Sequence, residues 1–467
     1  MRIISALLVL SVSLPASAQQ SYIIDWDAVG EEAVQHLVDL VRIDTTNPPG
    51  NETLVVEYLE GVLADEGIAS QRYALEPERA NLVARQRGNG SKRPLLLMGH
   101  TDVVGVQRDK WFSDPFSGER EDGFIYGRGT LDDKDNLAAA LMVIKLLKRY
   151  GVELDRDVIF LAEAGEEGTP EVGINFMVEK HYDVIEAEYA LAEGGQNIMR
   201  DDRVTQVGIE TTEKMPRRET LVARGTPGHG SKPTLDNAVV TLANAIAKAA
   251  AWQTEVRLND TTRTYFRRLA EVSAPEDAFR YLNVENEEFS DEIQQHFLET
   301  FPYHYSISRT SVVPTVIDAG FRRNVIPSEA SAILDIRMLP DENVEEFYAQ
   351  LAAVIDDPRV EIVPERIYRP AAPPSDIDNE MFRVLENVAL RMYPEATVLP
   401  IMQTGATDMA QIRAKGVQAY GIGPARSIEE INSGYGAHGD NERVEEQAFI
   451  DMVRYMWNVV IEVAATQ

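Results

Sequence analysis

Cysteine is absent from the 467-residue chain. That absence excludes disulfides, thiol nucleophiles and thiolate-bound zinc, and it removes cysteine lipidation as an anchor. Basic residues are scarce: 45 Lys and Arg face 76 Asp and Glu, a formal charge of −31. Nucleic acid and anionic membrane are therefore poor partners, because like charge repels. Such an acidic field favours solubility and draws in metal cations. Long apolar runs are missing as well, since nothing beyond residue 20 approaches the roughly 20 apolar residues of a membrane span. Internal repeats and low-complexity tracts are not evident.

The one sustained apolar stretch lies at the start. Arg2 precedes apolar residues 3–14, and Ala16-Ser17-Ala18 follows. That order is the order of a secretory signal peptide, cut before Gln19. The expectation is a signal peptide at 1–18 and a soluble periplasmic or secreted product with no membrane anchor.

The length exceeds one comfortable core, so two domains are expected. Residues 22–213 alternate helix and strand patterns. An amphipathic helix fits 26–41, a second helix 55–66, a strand 95–98, and a long Ala/Leu-rich helix 133–150. Alternation of this kind predicts an α/β fold, a mostly parallel mixed sheet with helices on both faces. Near residue 214 the pattern changes. Strands at 220–224, 312–321, 330–338 and 360–363 interleave with helices at 235–251 and 345–355. This reads as an inserted α+β lid or dimerisation domain, 214–369, that includes a polar, aromatic segment at 252–305. The run Arg369-Pro370-Ala371-Ala372-Pro373-Pro374 reads as a hinge. Residues 19–213 and 370–467 then form the larger domain.

Three apolar runs end in residues that bind metals. Leu95-Leu96-Leu97-Met98 leads into Gly99-His100-Thr101-Asp102. Val158-Ile159-Phe160-Leu161-Ala162 leads to Gly165-Glu166-Glu167-Gly168, and Tyr189-Ala190-Leu191-Ala192 leads into Glu193-Gly194-Gly195. Short apolar runs bounded by glycine and polar residues read as buried strands. Ligands in open α/β sheets gather beyond the carboxyl ends of strands. One sheet edge thus receives His, Asp and Glu.

In His100-Thr101-Asp102, His100 is a candidate ligand and Asp102 the acceptor of its other ring N–H. Alone, the triplet is equally a loop histidine beside a capping aspartate. Gly127-Arg128-Gly129-Thr130-Leu131-Asp132-Asp133-Lys134 puts an Asp pair at the start of the long helix. One Asp can cap the helix while the other points at metal, and a carboxylate can bridge two cations. Glu166 and Glu167 diverge as neighbours, so one can bind metal while the other faces the substrate as general base. Separately, the glutamate pair, Glu193 and His438 (in Ala437-His438-Gly439-Asp440-Asn441-Glu442) would pass as solvated turns. Jointly, His100, Asp132, Glu167, Glu193 and His438 make two sets that share Asp132. His100 with Glu193 would hold one ion, and Glu167 with His438 the other. Each ion then has three protein ligands and an open position, the catalytic pattern.

The order of these motifs is similar to the di-zinc superfamily of aminoacylases, carboxypeptidases, acetylornithine deacetylase and succinyl-diaminopimelate desuccinylase. The resemblance covers nearly all of the chain beyond the leader. It implies that His100, Asp132 and Glu193 bind one zinc and that Asp132, Glu167 and His438 bind the other. It also implies Glu166 as general base, Asp102 as orienting carboxylate, and a cis peptide between Asp132 and Asp133. Thr226-Pro227-Gly228-His229-Gly230-Ser231-Lys232-Pro233 resembles the lid segment whose histidine stabilises the transition state, in many members across a dimer. Asn324-Val325-Ile326-Pro327 and Asp335-Ile336-Arg337 resemble the lid edge that supplies Asn324 and Arg337 to the substrate. Arg369 aligns with a position that can hold a substrate carboxylate. Gly405, in Thr404-Gly405-Ala406-Thr407-Asp408, resembles a Gly-Gly-Thr-Asp substrate loop. The segment 252–305, with Arg309-Thr310-Ser311, resembles the branch of Gly-X carboxypeptidase and the secreted N-fatty-acyl amino acid hydrolases. Two departures stand out: Gly165 replaces the Asp common before the Glu pair, and Gly405-Ala406 replaces Gly-Gly.

The expected protein is a secreted amide hydrolase with two zinc ions per chain, which cobalt or manganese can replace. Its expected substrates are small peptides with a free C-terminal carboxylate, cleaved in carboxypeptidase or dipeptidase fashion. The alternative is an N-acyl amino acid deacylase, with Phe279, Tyr281, Phe289, Phe297, Phe301, Tyr303 and Tyr305 lining an acyl pocket. A non-catalytic metal- or peptide-binding protein is the remote alternative, and retention of every ligand and of Glu166 argues against it. A homodimer through the inserted domain is also implied.

Overall fold

The computed structural model describes residues 22–365 and 369–466. The expected signal peptide lies outside the described residues. A large sheet runs in the order Ser70–Glu76, Arg79–Gln86, Val158–Glu163, Leu95–His100, Tyr189–Ala192, Gln418–Gly421, Arg203–Glu213, Gln196–Arg200, Ala425–Ser427. Thr397–Gln403 pairs in parallel with Arg203–Glu213 off this path. The four strands from Val158–Glu163 to Gln418–Gly421 are mutually parallel. Antiparallel pairs flank them, so the sheet is mixed around a parallel centre.

The central strands are continuous apolar runs because both of their faces are covered. Successive side chains point to opposite faces. Leu95, Leu97, Phe160 and Leu191 pack under Trp26–Val41, Lys134–Arg149, Glu380–Met392 and Glu446–Ala464. Leu96, Met98, Ile159 and Leu161 pack against Ile174–Lys180 and Met409–Ala414 on the other face. Lys134–Arg149 lies so deep that each residue from Lys134 to Leu147 is buried, which explains its run of small Ala side chains. The carboxyl ends of the parallel strands then open on one rim. His100 ends its strand, Glu166 and Glu167 follow Val158–Glu163, and Glu193 follows Tyr189–Ala192.

The chain leaves this sheet at Glu213 and enters a second sheet at Met215. That sheet is antiparallel, in the order Ser311–Ala319, Glu329–Met338, Met215–Arg224, Val360–Pro364. Glu329–Met338 alternates strictly, and Ala330, Ala332, Leu334, Ile336 and Met338 face the helices Ala238–Ala251 and Val344–Ile355. A short ribbon pairs Gly228–His229 with Val325–Ile326.

One part of the inserted segment belongs elsewhere. Helices Asp260–Glu271, Pro275–Leu282, Ser290–Thr300 and Pro302–Ile307 pack around Phe266, Tyr281 and Phe297. The same cluster includes Leu399, Ile401 and Met402 of the large sheet's Thr397–Gln403 strand. These helices therefore extend the larger domain rather than the lid. The acyl-pocket expectation is corrected for Tyr281 and Phe297, which are core: Phe266 stacks on both, and His304 sits edge-on among these rings. Phe289, Tyr303 and Tyr305 are half-buried, and Phe279 and Phe301 are exposed. Lys214, buried where the chain changes sheets, ties the module to the crossing by donating to the carbonyls of Ser306 (2.6 Å) and Arg309.

Candidate metal centre and catalytic site

Asp132 sits at the middle of the rim. Its Oδ1 lies 2.9 Å from His100 Nε2, and its Oδ2 lies 3.1 Å from His438 Nε2. His438 Nε2 is also 3.0 Å from Glu167 Oε1, and His100 Nε2 is 4.0 Å from Glu193 Oε1. Two groups result, His100 with Asp132 and Glu193, and Asp132 with Glu167 and His438; in each, the candidate ligand atoms lie within 4.8 Å of one another. A third such group joins His100, Glu166 and Glu167. The sequence assembled the first two sets, and the structure brings all five residues together.

Each side chain is held by a local device. His100 is buried; its backbone N–H donates to Asp133 Oδ2 at 3.1 Å. The Asp132–Asp133 peptide is cis. His438 has φ 63, a left-handed backbone that costs a histidine about 1–2 kcal/mol. Its loop is pinned by buried Glu442, which accepts from Leu131 N at 2.8 Å and pairs with Arg128. One glutamate thus fastens the Asp132 loop to the His438 loop.

The carboxylates crowd at the rim, and charge registers it. Burial opposes ionisation of Asp132, but the bonds from His100 and His438 outweigh it and lower its pKa. Burial, then Asp133 and Asp132, holds Glu193 well above the carboxylate range. Burial raises Glu167 to about 7 even against its bond to His438. Burial opposes protonation of His100, yet its bond to Asp132 and the charges of Asp133 and Glu193 hold its pKa well above the usual value. Bonds to Asp132 and Glu167 lift His438 to about 10. A divalent cation would relieve such repulsion. Imidazole and carboxylate donors without thiolate suit zinc, cobalt or manganese.

Asp102 departs from expectation. The ring Nδ1 of His100 meets the backbone carbonyl of Asp102 at 3.0 Å, while the nearest carboxylate oxygen is 3.7 Å away. The carboxylate instead accepts from Glu166 N (3.1 Å), Glu167 N (3.0 Å) and Asn47 Nδ2 (2.8 Å). Asp102 thus orients His100 through its main chain and the glutamate pair through its side chain. Gly165, the departure before that pair, has φ 80, and a Cβ there would lie 2.3 Å from the Thr169 carbonyl oxygen. This turn requires glycine, so no Asp fits.

The expected substrate residues are corrected in part. Arg369 does not face an open anion site: its Nη2 bonds the Glu166 carboxylate and its Nη1 reaches Asp408 at 3.0 Å. Arg337 is chelated by Asp335 at 2.7 and 3.1 Å, its neighbour on the same sheet face. Asn324 is exposed; its carbonyl accepts from Gly230 N at 2.9 Å, which places it on the His229 ribbon. The His229 ring is exposed and among the described residues bonds only Ser231, with Nδ1 to Oγ at 2.7 Å. It makes no hydrogen bond to the metal-ligand cluster. Gly405 is half-buried, and a Cβ there would meet nothing nearer than Gln403 at 3.8 Å; Ala406, the altered position, has no left-handed φ that would call for glycine. Asp408 and Glu442 were missed, although each lies in a motif singled out for another residue; Asn47 was missed as well and lies outside those motifs.

A profile of peptidase family M20/M25/M40 matches residues 96–462. The chain belongs to that family. It is 31% identical over 328 residues to the probable carboxypeptidase S-like 2 of Dictyostelium discoideum, covering 68% of this chain and 62% of that protein's length. It is 26% identical over 450 residues to the human N-fatty-acyl-amino acid synthase/hydrolase PM20D1, covering 92% and 87% of the two chains. In fold it matches the M20 family metallo-carboxypeptidase Sso-CP2 of Sulfolobus solfataricus with a TM-score of 0.70 at 19% identity, over 92% of this chain and 98% of that one. The family is one of metallopeptidases and amidohydrolases, and this member is a hydrolase of that kind.

Proposed function

We propose that the enzyme is a secreted di-zinc hydrolase that cleaves small peptides bearing a free C-terminal carboxylate, as a carboxypeptidase or dipeptidase. The observation that carries this reading is Asp132, whose two oxygens face two separate His-carboxylate sets. His100, Asp132 and Glu193 would hold one ion, and Asp132, Glu167 and His438 the other. When bound, the ions supply Lewis acidity for the scissile carbonyl and lower the pKa of water. Glu166, next to Glu167 and oriented by Arg369, accepts the proton of the attacking water. As the water oxygen bonds to carbon and the C–N bond breaks, Glu166 returns that proton to the leaving nitrogen. His229 and Asn324, side by side on the lid ribbon, donate to the carbonyl oxygen as charge builds on it. Secretion rests on the leader-like residues 1–18. The similarity to a fatty-acyl-amino acid hydrolase supports N-acyl amino acids as a second substrate class. The exposed edge of the inserted sheet supports pairing of two copies.

The test is metal analysis of the purified protein, with hydrolysis of dipeptides and N-acyl amino acids before and after chelation. The expected result is two metals per chain and activity that chelation abolishes and zinc restores. A protein that takes up no metal from excess zinc overturns the ligand assignment.

A further inference from the structure

A cavity of about 260 Å³ opens beside the metal-ligand cluster, with Asp132 and Glu193 in its wall. Leu131, Ile198 and Ile422 give it an apolar side, and Arg426 is the one basic side chain among its described lining residues. The state of that arginine is unusual in so acidic a chain. Its only hydrogen bond runs from Nη2 to the backbone carbonyl of Glu430, at 3.3 Å, and no carboxylate pairs with it among the described residues. The nearby Glu430 carboxylate is taken by Arg443 on both oxygens. The guanidinium is half-buried and lies under the loop that carries His438: a Cβ on Gly436 would come within 3.2 Å of both terminal nitrogens.

Glu430 and Glu442 act on Arg426 only through space; a half-buried cation that no carboxylate touches among the described residues is costly, and a guanidinium fork matches a carboxylate with two parallel bonds. The other two arginines that could take a substrate anion are already used. Arg369 holds Glu166 and Asp408, and Arg337 holds Asp335. We infer that Arg426 is the specificity residue of this enzyme and receives a carboxylate of the substrate in this cavity, with the apolar wall taking an adjacent aliphatic group. The inference rests on the amide-hydrolase reading. The carboxylate is either the C-terminal one or one on the acyl side of the scissile bond.

Zinc-loaded wild type, Arg426→Met and Arg426→Lys are compared on two substrate pairs. The first pair is an N-acyl amino acid and its C-terminal carboxamide. The second is two dipeptides that differ only in glutamate against glutamine on the acyl side. Calorimetric titration of the free amino acid and its amide repeats the comparison without turnover. For the carboxylate member of a discriminating pair, Arg426→Met is expected to raise KM and Kd roughly 10- to 100-fold, with the neutral member within about threefold. Arg426→Lys recovers part of the loss. Discrimination lost in the first pair assigns the C-terminal carboxylate, and in the second an acyl-side one. Equal losses on acid and amide, or no loss, overturn the role of Arg426 and leave amide hydrolysis standing. A wild type that binds and cleaves none of the four overturns both readings.

Discussion

Asp132 and Glu167 share His438, at 3.1 and 3.0 Å, while Glu166 turns the other way to Arg369. Two adjacent glutamates therefore have opposite neighbours, and their substitutions should separate. Glu166→Gln keeps the side chain's shape but cannot take a proton, so kcat should fall about 10²- to 10⁴-fold with metal content unchanged. Glu167→Gln removes a ligand charge, and metal content should fall with activity. Paired metal analysis and kinetics on the two variants check this; Glu166→Gln with kcat within about tenfold of wild type removes it from the base role. His100, Glu167 and Glu193 were legible because each ends or follows an apolar strand, so sequence order put them on one rim; Asp132 and His438 lie in loops and were legible only jointly with those three. The partners of Arg369 were not legible. Its contact with Glu166 joins positions 203 apart, and only the folded chain decides which carboxylate an arginine meets. Asp102 shows the same limit more finely, since the sequence names the residue but not whether its carbonyl or its carboxylate faces the ring.

Helix periodicity was the most readable layer. Trp26–Val41 and the long helix at Lys134–Arg149 lie where their apolar spacing put them. Periodicity does not say which sheet a helix covers. The four helices from Asp260 to Ile307 were assigned to the lid, yet their aromatic face packs on Leu399 and Ile401, more than ninety residues downstream. Between helices Trp26–Val41, Thr53–Asp65 and Lys134–Arg149 runs a polar chain with a pH consequence. Lys145 Nζ donates to His36 Nε2 at 2.6 Å, and His36 Nδ1 meets Tyr58 Oη at 2.6 Å. A proton on Nε2 would face the Lys145 ammonium. Burial first, then Lys145, lowers His36 from 6.5 to about 4. Between those values the unfolded chain binds the proton and the folded one does not, so stability falls as pH drops from 6.5 through 4. His36→Gln should flatten that part of the profile, so its deficit against wild type is larger at pH 7 than at pH 4.5. Thermal melts of both proteins at pH 7 and 4.5 measure it, and equal acid losses in the two would remove His36 as a cause.

The molecule as a whole leaves its lid unfinished. Ser311–Ala319 is an edge strand of the inserted sheet, and Val313, Val316 and Ile317 on it are 51%, 50% and 62% exposed. A long apolar edge is a template for pairing with another chain. His229, on the same domain, is exposed and among the described residues bonded only to Ser231, so within one chain it makes no hydrogen bond to the cluster it would serve. Pairing of two copies through this edge would bury the apolar strand and offer His229 to the partner's site. Val313→Lys with Ile317→Lys should convert a wild-type dimer to a folded monomer, read by light scattering and circular dichroism; a monomeric wild type ends the idea. Catalysis across the interface has a sharper signature. Glu166→Gln lacks the base but keeps His229, and His229→Ala lacks the lid histidine but keeps the base. Each is nearly inactive alone. If His229 acts in its own chain, mixing the two restores nothing, because every site still lacks one group. If it acts across the dimer, each mixed pair has one complete site, and free exchange of equal amounts should return about a quarter of wild-type activity.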